Sequence, residues 1–105
     1  MLGLKVSING GEPVVCGAED LGVLMAGVHL AGQLGERTQH PRPGEAPDLW
    51  MRAGGLTSRP DDQGDEHINW IHHHALKVGD SVTIEIVRTE TPSEPVDRTP
   101  ARQRA

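Results

Sequence analysis

Four histidines stand within the ten residues Glu66–Ala75, EHINWIHHHA, just after the carboxylates Asp61, Asp62 and Asp65. Imidazole and carboxylate are the common ligands of zinc, and histidine is the side chain whose ordinary charge change falls between about pH 5 and 8. Whether these groups can act together depends on the element that carries them. The run predicts a helix from about Glu66 to Leu76. At about 100° per residue, Ile68, Ile71, His72, Ala75 and Leu76 share one arc, and Glu66, His67, Trp70, His73 and His74 share the other. A two-histidine site on a helix wants ligands one turn apart, as in HExxH, and no histidine pair here has that spacing. His67 and His74 lie two turns apart, roughly 10 Å by helical rise. One zinc ion holds each nitrogen at only about 2 Å. A metal site therefore needs His67, His73 or His74 together with outside ligands, for which Asp61, Asp62, Asp65, His29 and His40 are the candidates. The loop DDQGDE departs from a calcium loop, because the glycine required at its sixth position falls on Glu66.

Nucleophilic chemistry has even less to build on. Ser58 and Ser81 sit in no nucleophile motif, no phosphate-cradling glycine motif occurs, and no cofactor is implied. Cys16 would need a nearby base and a lowered pKa to act as a hydrolase-like nucleophile. As the single cysteine, following Val14 and Val15, it reads instead as a buried free thiol in a reducing compartment. No catalytic residue is assigned. The two tryptophans give a different lead. Trp70 falls opposite Ile68 on the expected helix, and Trp50 is out of phase with Leu49 and Met51. Aromatic side chains off the core face are typical anchors for a protein partner. Trp70, His67, His74 and Trp50 are therefore the expected interaction surface.

The elements that must position these residues are legible in pieces. Leu2, Leu4, Val6 and Ile8 alternate with smaller or polar residues, and Asn9-Gly10 then predicts a hairpin into Val14–Cys16. Leu21 to Leu34 reads better as a strand than as a helix, since Gly22, Gly27 and Gly32 would each cost a helix about 1 kcal/mol relative to alanine. A proline-bearing loop over Gly35 to Asp48 leads to a strand through Leu49, Met51 and Ala53, with a turn expected at Gly54-Gly55. Val78-Gly79-Asp80 is a turn, and Val82, Ile84 and Ile86 mark the last strand. From Thr91 onward no apolar period remains, so 91–105 reads as a disordered tail behind a single globular domain at 1–90. The expected class is α+β: four or five mostly antiparallel strands with one packed helix.

Charge narrows the partners. The net charge is −5, and Met1 to Glu90 carries 7 basic against 13 acidic residues. Basic residues are scattered singly, which argues against nucleic acid and against an anionic membrane surface. The opening residues lack a secretory signal pattern and no stretch approaches 18 apolar residues. A cytoplasmic location is expected.

Gly54-Gly55-Leu56, Glu66-His67-Ile68-Asn69-Trp70 and the segment Leu76-Lys77-Val78-Gly79-Asp80-Ser81-Val82-Thr83-Ile84 together resemble small soluble bacterial proteins of the immunity or accessory kind. The resemblance covers about half the chain and implies the order helix, turn, terminal strand, with no catalytic residue. The expected function is that of a protein–protein interaction module, inhibitor-like or immunity-like, whose acidic surface complements a basic partner. A metal- or small-ligand-binding protein and a small hydrolase are the alternatives. Pairing of an open strand edge across a two-fold axis would make it a homodimer.

Overall fold

The computed structural model describes residues 1–38, 44, 46–60 and 63–101. Seven strands follow one another: β1 (Leu2–Ile8), β2 (Val14–Cys16), β3 (Leu21–Ala31), β4 (Asp48–Thr57), β5 (Glu66–Ala75), β6 (Val82–Arg88) and β7 (Asp97–Pro100). They form two antiparallel sheets, β2-β1-β6 and β3-β4-β5-β7. The fold is all-β, with no helix among the described residues, and the α+β expectation is corrected on that point.

Local chemistry accounts for several elements directly. Asn9 and Gly10 both take positive φ, 52° and 70°, and Gly11 N–H donates to the Ile8 carbonyl at 2.9 Å to close the turn between β1 and β2. Alternation in β1 sends Leu4, Val6 and Ile8 toward the core, and β6 pairs with β1 over its whole length, from Leu2 opposite Arg88 to Ile8 opposite Val82. The glycine-bearing segment after Asp20 is a strand, β3, which ends where Gly32 adopts φ 129°.

The expected helix is β5. Its composition never favoured a helix strongly, because Ile, Asn, Trp and His are all poor helix formers. The misleading signal was the spacing of Ile68 and Ile71. Two register shifts against β4, between Met51 and Ala53 and between Ala53 and Gly54, interrupt the period of two. Ile68, Trp70 and Ile71 consequently all reach the core from one strand. Bulges thus counterfeited a helical period.

β4 also runs further than expected, passing through Gly54-Gly55 to Thr57 without turning. The glycines mark close approach of strands. A Cβ on Gly54 would stand 2.7 Å from the Ile68 carbonyl oxygen and 2.6 Å from Asn69 Oδ1, and one on Gly55 would strike the Val23 carbonyl oxygen.

The segment expected to be a disordered tail instead contributes to the fold as far as Ala101. Ser93 N–H donates to the Val15 carbonyl at 2.8 Å, and Val15 N–H donates to Ser93 Oγ at 3.0 Å. Val96 N–H donates to the Asn69 carbonyl, and β7 then pairs with β5 from Asp97 opposite Asn69 to Pro100 opposite Glu66. Backbone hydrogen bonds hold this stretch, so the lack of an apolar period in the sequence did not reveal it.

The core lies between the sheets. Val6 and Cys16 from one sheet meet Met51, Ala53, Ile68 and Trp70 from the other. The molecule is flat, 50 × 40 × 19 Å, the short axis being that of two stacked layers. Its radius of gyration is 16.5 Å, against about 13 Å for a compact domain of this length.

Candidate functional site

β5 distributes the residues that the sequence singled out. Trp70 is a core residue, 3% exposed, with its indole N–H donating to the Ser93 carbonyl at 2.8 Å. Its expected role as a surface anchor is corrected: placing it opposite Ile68 assumed a helix, and in the bulged strand both side chains turn inward. His67, His73 and His74 are exposed.

Trp50 is half-buried and has unexpected neighbours. It pairs in register with His29 of β3, and the imidazoles of His29 and His73 flank its indole with ring centroids at 5.2 and 5.4 Å and planes inclined by 22° and 15°. Cross-strand neighbours share a sheet face, which is why three rings from three strands can form one row. Such stacked pairs stabilise by about 0.5–1.5 kcal/mol each. The row occupies both faces of the indole, so Trp50 offers only its edge to a partner.

The helical spacing rule cannot apply to these histidines, and the strand does not gather them either. The Trp50 ring separates His73 from His29. Among the described residues no group of three or more His, Cys, Asp or Glu side chains comes close enough together to hold a metal ion. His40, Asp61 and Asp62 lie outside the described residues. Asp65 is engaged: its Oδ1 accepts from Thr57 Oγ1 at 3.1 Å and from Arg59 N–H at 2.8 Å. Around it runs a polar network in which Arg59 reaches Asp20 and Glu66, both at 2.8 Å, while Arg98 approaches Glu66 at 3.7 Å. The hydrogen bond from Arg59 holds the Asp20 carboxyl below its ordinary range. These ion pairs tie the loop after β4 to the starts of β3 and β5.

Cys16 is fully buried, and burial pushes its thiol up to about 11. With an ordinary value near 9, its thiolate fraction at mildly alkaline pH drops by about 100-fold. Labelling by a disulfide reagent at pH 8 is expected to be slower than for a free thiol by at least that factor, until denaturant opens the core. Rapid labelling of the folded chain would restore Cys16 as a candidate nucleophile.

A different feature emerges from the sheet order. Of the four strand edges, two are guarded. β2 is only three residues long and follows Pro13, while β7 is four residues long, carries Asp97 and Arg98, and ends in Pro100. Short length, charge and proline are the usual protections of an edge. Residues 91–96 also cross that side of the sandwich, through Ser93 on β2 and Val96 on β5.

Among the described residues the opposite side is open. There the edges are β6 and β3, and β3 runs for eleven residues, LGVLMAGVHLA, without a charged residue or a proline. Val23, Met25, Val28 and Leu30 are 50–57% exposed along it. Between the two edges lies an apolar groove of about 460 Å³ lined by Leu2, Leu4, Leu21, Val23, Leu24 and Ile86. Ile84 and Ile86 alternate with polar neighbours as a core strand should, yet they are 42% and 79% exposed because β3 does not cover them. The sequence held one signal for this surface: eleven successive residues, Leu21 to Ala31, with no Asp, Glu, Lys or Arg.

No helix among the described residues is long and apolar enough to cross a membrane. No family model matches the chain, and neither curated proteins nor solved structures give a significant match.

Proposed function

We propose that this chain is a protein–protein interaction module that accepts another polypeptide strand along the open side of its sandwich. One observation carries the reading: β3 is a long, uncharged edge strand whose large apolar side chains stand half exposed. Edge strands present unpaired N–H and C=O groups at fixed spacing, so strand addition draws affinity from the backbone and specificity from the side chains beside it. The neighbouring groove supplies apolar area for those side chains. Among heterologous partners the net charge of −5 favours basic proteins, and an inhibitor-like or immunity-like role is the form of this reading that such a partner fits. The metal-binding and hydrolase alternatives gain no specific support from the arrangement of His67, His73, His74 and Cys16.

The test compares the wild-type chain with the double variant Met25→Lys/Val28→Lys, each used to capture partners from cells that also express an untagged copy of the chain. Lysines on an edge strand oppose strand addition while leaving the backbone of β3 intact. A partner held by the wild type, lost by the variant and recovered with purified components supports the reading. Identical capture by both chains, with the variant folded, would exclude β3 as the docking edge.

A further inference from the structure

The strand that β3 is built to accept can be specified further, on the reading just given. We infer that it is β3 of a second copy, placed antiparallel about a two-fold axis at Ala26, so that two four-stranded sheets become one continuous sheet.

Charge selects the occupant. Two copies at −5 each repel wherever acidic surfaces meet, and an uncharged strip is where they can approach. β3 has no Asp or Glu with which to recognise a basic chain, whereas the other long edge, β6, carries Glu85 and Arg88. The acidic faces remain free for other partners.

Geometry is equally permissive. Antiparallel pairing of a strand with itself needs no element besides its own backbone, and cyclic two-fold dimers are the commonest closed assemblies. Ala26 is the middle residue of Leu21–Ala31, so an axis there pairs the greatest length of strand. In that register Met25 lies opposite Gly27 of the second copy, Leu24 opposite Val28, and Val23 opposite His29. Met25 gains a neighbour without a side chain, and Ala26 faces its own equivalent, so the crowded centre of the interface holds small residues.

Exposure points the same way. Val23, Met25, Val28 and Leu30 stand 50–57% exposed along β3, and pairing removes an apolar edge that would otherwise template aggregation.

Sedimentation velocity and native mass spectrometry of the untagged full chain across a concentration series provide the test. The wild type is expected to be a dimer, and Met25→Lys/Val28→Lys, checked for a retained β-sheet circular dichroism spectrum, should dissociate about 100-fold more readily. A second variant fixes the register independently. Met25→Cys combined with Gly27→Cys puts thiols opposite one another across the axis, and a methylene at position 27 meets only the His29 ring, at 3.4 Å. Oxidation should convert this variant to a covalent dimer. A monomeric wild type would overturn the self-pairing, as would a dimer that ignores the lysines or fails to cross-link. If a monomeric chain still captures another protein in a β3-dependent manner, the interaction reading survives and only the second copy is excluded. If the lysines alter neither, both readings fail.

Discussion

Trp70→Ala is expected to destabilise the fold by about 3–5 kcal/mol, the range for deleting a fully buried indole. Small domains have only about 5–15 kcal/mol in total, so the variant should be partly unfolded near physiological temperature. Two losses add. Trp70 is 3% exposed and packs in the cluster of Val6, Cys16, Met51, Ala53 and Ile68, so truncation leaves a cavity between the sheets. Its indole N–H also holds the Ser93 carbonyl, and Ser93 in turn is hydrogen bonded to the backbone of Val15. The substitution should therefore loosen residues 91–96 as well as the core. Urea unfolding of Trp70→Ala beside Trp70→Phe and Trp50→Ala separates these effects. Trp70→Phe keeps most of the apolar contact and loses the N–H bond, so it should fall between wild type and Trp70→Ala. Trp50→Ala, at a half-exposed site, should cost the least of the three. A Trp70→Ala protein as stable as the wild type would mean that the indole does not sit in this core.

Gly55→Ala is expected to be the next most damaging change, out of proportion to the single methyl it adds. Overpacking usually costs about 1–3 kcal/mol when neighbouring side chains can move aside. Here the added carbon meets the Val23 carbonyl oxygen, which is backbone, and Leu21 Cδ2 at 3.0 Å. Relief requires β3 and β4 to separate at the register shift between Leu21 and Val23. The expected cost is at the top of that range or above, with amide hydrogen exchange accelerated along β3 more than along β1. Gly35→Ala is the matched control, because a Cβ there meets nothing within 4 Å and the backbone needs no glycine. Equal stabilities for the two variants would contradict the close approach of β3 and β4.

The same two sites explain why the sequence was only partly legible. Glycines at 54 and 55 look like a turn to any local rule, because glycine is the residue of turns. Their actual reason is the proximity of β3 and β5, which no local rule contains. Trp70 looks exposed when projected onto a helix, and falls on the buried face of Ile68 once β5 is a strand, where residues two apart point the same way. The candidate site was less legible still. His29, Trp50 and His73 stand 21 and 23 positions apart in the chain, and their row exists only through the register of β3 with β4 and of β4 with β5. β3 was readable as a strand, yet its place at an edge was not.

What the sequence determined by itself was local: the Asn9-Gly10 turn, the alternating strands β1 and β6, and the acidic charge; for Leu21 to Leu34 it favoured a strand but left a glycine-bearing helix open. The turn and the strands follow from steric limits on φ and ψ or from a period of two over a few residues, and the charge from composition. Tertiary structure alone decided that Glu66–Ala75 is a bulged strand, that residues 91–101 join the fold, and that β3 stands at the edge of its sheet. Those outcomes depend on hydrogen bonds and apolar contacts between residues far apart in the chain, and a strand's partner and its place in a sheet leave no period in its own sequence.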